Sequence, residues 1–250
     1  MSALGAVVFD VDGTLVDSER DGHRVAFNRA FEDFGLPYRW DVDGYGRLLS
    51  ITGGQNRLQA YLDDQGVPED ERNQLVPKLH RRKTEIFNEL VAGGGLDPRP
   101  GSVELLDELD GAGVHLAVAT TGTRGWVLPL LERLFGEGRF EAVITGDEVP
   151  VRKPDPSAHL MAVEHLGVDV AEAVTIEDSR NGLEAARAAG LRCAMVVNGY
   201  TRDQDMHEAD LVLDDFGTGD DPAEVLYDPH GLKPPGRLDL ATLRRLAETG

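Results

Sequence analysis

The chain of 250 residues has one cysteine, four lysines and no long apolar run. A single thiol excludes a disulfide framework and a cysteine-based zinc cluster. Cys193 lies in the apolar stretch Leu191-Arg192-Cys193-Ala194-Met195-Val196-Val197 and is expected in a core. No segment approaches the roughly 20 apolar residues of a membrane helix, and the first residues lack the basic and apolar regions of a signal peptide. A cytoplasmic protein without a membrane partner is therefore expected. Positive charge is scarce: 25 Lys and Arg against 45 Asp and Glu give a net charge of −20. That balance lacks the basic footprint that nucleic acid requires, so no nucleic-acid partner is expected. It also repels anionic substrates, so a phosphate ester would have to be drawn in by a metal ion and a few placed cations. None of the seven histidines shows zinc-ligand spacing.

The most informative residues are Asp10 and Asp12. The apolar run Ala6-Val7-Val8-Phe9 reads as a short buried strand and leads directly into Asp10-Val11-Asp12-Gly13-Thr14-Leu15-Val16-Asp17. Two carboxylates two residues apart at a strand end point to one side of its C-terminal edge, which is where open α/β sheets bind ligands. At about 4 Å and an effective dielectric near 20 they repel by roughly 4 kcal/mol. A cation between them is expected.

After this strand, His23, Ala26, Phe27, Ala30, Phe31 and Phe34 recur at helical spacing. Further helices are predicted over about 41–50, 55–65 and 69–91, with no strand between them. The run Gly93-Gly94-Gly95-Leu96-Asp97-Pro98-Arg99-Pro100 cannot continue a helix and marks a boundary. From residue 101 helices and apolar strands alternate, which argues βα units and a parallel sheet. The strands are expected at 114–119, 142–145, 173–176, 193–197 and 211–213; the helices are expected at about 101–111, 124–135, 155–166 and 180–189. The predicted fold class is α/β: a doubly wound parallel-sheet core, residues 1–16 and 97–250, with an inserted α-helical cap domain, residues 17–96. Residues 214–237, rich in Asp, Gly and Pro, are expected to be irregular. Leu240, Leu243 and Leu246 suggest a last helix with Asp239 as N-cap.

Four polar groups fall at strand ends or helix starts in chain order: Asp10 and Asp12, Thr120 and Thr121, Lys153 before Pro154, and Glu177 with Asp178. Together they resemble, in order, the four motifs of the haloacid-dehalogenase superfamily of phosphatases and mutases. The resemblance implies Asp10 as nucleophile and metal ligand, and Asp12 as general acid and base with its backbone carbonyl on the metal. It implies Thr120 as a phosphoryl-binding hydroxyl, with Thr121 beside it, and Lys153 as the fixed cation. Asp178 would hold the metal with Glu177 as direct or outer support. Magnesium suits such an oxygen-only set, and a carboxylate can attack a phosphoryl group only if that group's charge is offset.

A helical cap after the first motif is similar to the β-phosphoglucomutase-like branch. The stretches Asp21-Gly22-His23-Arg24, Trp40 to Gly46, Thr52-Gly53-Gly54 with Arg57, His80 with Lys83-Thr84, and Gly199-Tyr200-Thr201 look closer still to the CbbY-like phosphatases. That implies a small phosphorylated sugar such as xylulose-1,5-bisphosphate as substrate, with Asp17, His23, Tyr45, Gly53, Gly54 and Arg57 as substrate-binding candidates; the chain is expected to act as a monomer. On its own pattern His23 belongs to an apolar stripe and reads as a core histidine, and Tyr45 and Arg57 read equally as braces of the cap. One departure stands out: Gln55 and Asn56 follow the paired glycines where these relatives carry a lysine and an acidic residue. The competing readings are a sugar-phosphate mutase and a non-catalytic phosphosugar-binding regulator.

Overall fold

A computed structural model describes residues 4–51 and 53–249; Thr52 lies outside the described residues. The chain divides into two units. One joins the segment ending at Asp17 to the segment beginning at Asp97, and the other is Ser18–Leu96.

The Ser18–Leu96 unit is helical. A short π-helical turn, Glu19–His23, runs into α1 (Arg24–Asp33), followed by α2 (Val42–Leu48), α3 (Gly54–Asp64) and α4 (Glu69–Ala92). Asp41 caps α2 by accepting from the Gly44 N–H at 2.6 Å, which satisfies one of the free amides that open a helix. Ala26, Phe27, Ala30 and Phe31 of α1 are buried, as are Val76, Leu79, Ile86, Phe87 and Val91 of α4. These spacings make one apolar face on each helix. Phe31 meets Trp40 edge-on with centroids 5.0 Å apart, and Trp40 meets Tyr61 edge-on at 5.1 Å. Asn28 ties the same corner by exchanging two 2.8 Å hydrogen bonds with the Trp40 backbone.

The other unit is built on one sheet: β1 (Ala6–Phe9), β2 (His115–Ala119), β3 (Ala142–Ile144), β4 (Ala173–Glu177), β5 (Arg192–Val196), β6 (Leu211–Leu213) and β7 (Val225–Tyr227). Its order is β3-β2-β1-β4-β5-β6-β7, parallel except that β7 runs antiparallel to β6. Among the described residues five α-helices accompany it: α5 (Ser102–Gly111), α6 (Arg124–Phe135), α7 (Ser157–Leu166), α8 (Arg180–Ala188) and α9 (Leu240–Ala247). All four residues of β1 are buried, as a central strand covered on both faces requires. Beneath α7, small residues of the strands (Ala6, Ala117, Ala119, Ala142, Ala173) pack against Ala158 and Ala162 of the helix. Asp239 caps α9 by accepting from the Thr242 N–H at 2.8 Å.

The 214–237 stretch differs from expectation in one respect. Asp214 accepts from the Glu224 N–H through its side chain at 2.7 Å, while its own N–H donates to the Glu224 carbonyl at 3.2 Å. This exchange starts the hairpin-like return that makes β7, whose three residues are too few to show a period. Among the described residues, no helix is long and apolar enough to cross a membrane.

Candidate active site

Strand order reverses at β1: β2 and β3 lie on one side, β4 to β7 on the other. The carboxyl ends of strands around such a reversal form a crevice that nothing in the sheet fills. The register aligns Phe9 with Val118 of β2 and with Ile176 of β4. Asp10 and Glu177 therefore stand level on neighbouring strands, with Thr120 one residue further along beyond β2, and the Asp10 N–H continues the ladder by donating to the Ile176 carbonyl at 3.0 Å.

Lys153 joins two of these ends. Its Nζ donates to Asp10 Oδ1 at 2.8 Å and to Glu177 Oε1 at 2.5 Å, and its side chain is 4% exposed. The Lys153–Pro154 peptide is cis. Asp178, one residue past β4, accepts from Asn198 Nδ2 at 2.7 Å, and the same amide nitrogen donates to the Gly13 carbonyl at 3.2 Å. Gly13 is at φ +85°, and a Cβ there would lie 2.3 Å from Asp178 Oδ2. The first motif thus needs glycine both for its backbone and for the carboxylate lodged against it.

Asp10, Glu177 and Asp178 bring ligand oxygens within 4.8 Å of one another, all three residues buried. Burial raises the Asp10 carboxyl to about 6; Lys153 pulls it down and Glu177 pushes it up. Asp178 is driven well above the ordinary carboxylate range by burial and then by its two acidic neighbours. Glu177 goes the other way: burial alone would raise it, but Lys153 and His159 hold it below its usual value. Burial opposes the charge on Lys153, yet Asp10 and Glu177 raise its pKa. Three carboxylates thus face one ammonium, and Glu177 Oε2 is buried without a hydrogen-bond donor. An oxygen-only set with surplus negative charge fits a hard divalent cation.

The remaining expected core residues occupy the same edge. Thr120 is buried and its Oγ1 accepts from the Gly122 N–H at 3.1 Å, which leaves the hydroxyl proton for another acceptor. Thr121 is half-buried. Asp12 is half-buried in a bridge with Val16, outside the three-carboxylate cluster, and Asp17 is half-buried at the end of its segment.

The other candidates, His23, Tyr45, Gly53, Gly54 and Arg57, belong to the helical unit. Tyr45 is fully buried; its hydroxyl donates to Glu19 Oε2 at 2.5 Å and accepts from Arg57 Nη1 at 2.9 Å, while Arg57 Nε donates to the Leu48 carbonyl. These contacts brace the unit. Lys83 Nζ lies 2.9 Å from His23 Nδ1 and 5.0 Å from the ring centroids of both Phe27 and Phe87. Burial, then the charges of Lys83, Arg57 and His80, push the His23 pKa well down, so His23 is a neutral acceptor for the ammonium. Gly53 (φ +89°) precedes α3, and a Cβ on Gly54 would come within 3.0 Å of His80 Nε2. Gln55 and Asn56 are exposed.

Sequence reasoning missed three residues. His159 lies on the apolar face of α7, where a lone histidine gives no signal. Asn198 follows β5 and reads as a turn residue. Arg99 sits in the linker-like run yet is buried, and only its acceptors reveal why.

Comparison with known proteins gives a consistent picture. A family model described as haloacid dehalogenase-like hydrolase matches residues 4–190. A CBBY-like protein of Arabidopsis thaliana is 43% identical over 89% of this chain and 72% of its own length. Protein CbbY of Rhodobacter capsulatus is 40% identical over 85% of this chain and 94% of its own. Among solved structures, a mutant CbbY from Rhodobacter sphaeroides in complex with xylulose-1,5-bisphosphate superposes with a TM-score of 0.72 at 38% identity, covering 85% of this chain and 94% of that one.

Proposed function

Because the chain belongs to the haloacid dehalogenase-like hydrolase family, we propose that it is a magnesium-dependent phosphatase of small phosphorylated sugars, with xylulose-1,5-bisphosphate as its substrate. The carrying observation is Lys153 bridging Asp10 and Glu177, with Asp178 within metal-sharing distance. The substrate reading is supported by the likeness to the CbbY complex with that sugar bisphosphate. The monomeric, cytoplasmic setting is supported by the charge of −20 and the single, buried cysteine.

The chemistry follows from the residues. An Asp10 carboxylate oxygen attacks phosphorus and forms an aspartyl-phosphate as the bond from phosphorus to the sugar oxygen breaks. The departing alkoxide keeps that electron pair and takes a proton from Asp12. Water then attacks phosphorus, Asp12 takes the water's proton, and Asp10 leaves as a carboxylate with inorganic phosphate released. Lys153 offsets phosphoryl charge throughout, and the Thr120 hydroxyl donates to a phosphoryl oxygen. A magnesium ion held by Asp10, Asp178, the Asp12 carbonyl and, directly or through water, Glu177 would supply the remaining charge neutralisation.

The test is phosphate release from para-nitrophenyl phosphate and a panel of sugar mono- and bisphosphates, with and without magnesium. Magnesium-dependent release that is fastest with the ketopentose bisphosphate supports the reading. Isomerised hexose phosphate without release would point to a mutase, and no turnover at millimolar magnesium to a binding protein.

A further inference from the structure

We infer that His159 is a positioning residue for the catalytic lysine, acting through an Nε2–H donated to Glu177. The inference deepens the phosphatase reading and rests on it for its kinetic consequence. His159, the third residue of α7, is 0% exposed, and its Nε2 lies 2.9 Å from Glu177 Oε1. Glu177 reaches this helix because alternate residues of a strand share a face: Ala173, Thr175 and Glu177 point together, and Ala173 lies in the cluster under α7.

The identity of the partner fixes the tautomer. A carboxylate oxygen has no proton to give, so Nε2 carries the hydrogen, and in the neutral ring Nδ1 is then a bare acceptor. Nδ1 is buried with no hydrogen-bond partner, and such an unmet polar atom is costly. An apolar ring would fill the same space without that cost. What the imidazole adds is the donor on Nε2.

That donor has a specific effect. Glu177 Oε1 accepts from both Lys153 and His159, so the two donors use both lone pairs of one oxygen. Turning the carboxylate would break both bonds. Glu177 is thereby fixed as the counter-ion that aims Lys153 at Asp10, in a relay of 2.9, 2.5 and 2.8 Å from His159 to Glu177 to Lys153 to Asp10. Groups that orient residues touching a metal or reacting atom typically change affinity or activity by about 10- to 100-fold when removed. His159 itself touches neither substrate nor the reacting atoms. Its loss should therefore lower kcat and leave KM nearly unchanged.

The experiment compares His159→Phe, which keeps a ring and removes the donor, with His159→Gln, which restores an N–H. The readouts are kcat and KM on para-nitrophenyl phosphate with magnesium, magnesium affinity by titration calorimetry, and the thermal midpoint. The expected result for His159→Phe is kcat lower by about tenfold or more, KM within about twofold, weaker magnesium binding, and a thermal midpoint no lower than that of the parent. His159→Gln should recover most of the lost kcat. A His159→Phe enzyme with kcat and magnesium affinity both unchanged overturns the inference, and so does a folded His159→Gln enzyme no better than His159→Phe. Should neither variant fold, nitrogen-15 resonance of the parent's histidine rings decides: a neutral ring protonated at Nε2 upholds the inference, and one protonated at Nδ1 overturns it. A parent enzyme that releases no phosphate defeats the phosphatase reading instead, and the calorimetry and ring resonances then decide the His159 question alone.

Discussion

The Arg99 guanidinium donates from Nη1 to the Gly13 carbonyl at 2.6 Å and to the Val196 carbonyl at 2.9 Å. It thus ties the chain just after the helical unit to the loop that carries Asp10 and Asp12. From Nη2 it reaches the carbonyls of Val197 and Asp214 and the carboxylate of Asp215. One buried cation satisfies the ends of β5 and β6 as well as the first motif. The Gly13 carbonyl also accepts from Asn198, which holds Asp178, so the position of the Asp178 carboxylate depends on where Arg99 puts that loop.

Replacing Arg99 with methionine keeps the apolar stem and strands several buried acceptors. The expected cost is about 3 to 5 kcal/mol in urea unfolding, since each stranded buried acceptor costs about 1 to 3 kcal/mol. Arg99→Lys should recover little, because an ammonium lacks the planar fork that reaches acceptors on both sides. Equal stability of Arg99→Lys and the parent would contradict this account.

Gln55 occupies the first turn of α3, whose preceding Gly53 offers no side-chain cap. The amides of a first turn and the helix dipole favour an anion there. A lysine at this position should add a charge-assisted contact of roughly 1.5 to 3 kcal/mol to a second phosphate. Gln55→Lys is therefore expected to lower KM for a sugar bisphosphate by about tenfold or more, with monophosphate kinetics unchanged. Parallel changes for both substrates would show that this position does not meet the distal phosphate.

Asp10 makes the metal-free protein's stability depend on pH in a definite direction. Its folded-state pKa of about 6 exceeds the ordinary 3.8, so between about pH 4 and 6 the native state holds more of this proton than the unfolded chain does. Its contribution to stability rises as pH falls through that window, and its destabilising effect is complete above it. With chelator present, Asp10→Asn should be more stable than the parent at pH 8 by at most about 3 kcal/mol, from about 1.36 kcal/mol per pH unit. The gap should close toward pH 4. His23 and His159, pushed down by burial, act in the opposite sense, but they are common to both proteins and cancel in the difference. A gap independent of pH in urea titrations would refute the assignment.

The parts legible in the sequence were those written in period and punctuation. Apolar runs ending in Asp10, Thr120 and Glu177 exposed three adjacent strand ends, because a central parallel strand is apolar along nearly its whole length and charge falls at its end. The helical insertion showed in stripes such as Ala26-Phe27-Ala30-Phe31. What stayed hidden depends on partners far along the chain. Arg99 looks like a loop residue until Gly13, Val196 and Asp215 surround it. His159 looks like one more residue of a buried helix face until Glu177 arrives from β4, 18 positions later. β7 escaped because three residues set among Asp, Gly and Pro carry no alternation, and only the antiparallel pairing with β6 defines it.

The central claim is that Asp10 becomes transiently bonded to phosphorus. The most direct measurement is to quench the enzyme during turnover of a sugar phosphate, reduce it with borohydride, and sequence the peptide containing residues 6–17 by mass spectrometry. An acyl phosphate at Asp10 predicts homoserine at position 10, absent without substrate and absent in Asp10→Asn. Efficient turnover with position 10 unmodified under conditions that trap a known acyl-phosphate enzyme, or full activity in Asp10→Asn, would contradict the account.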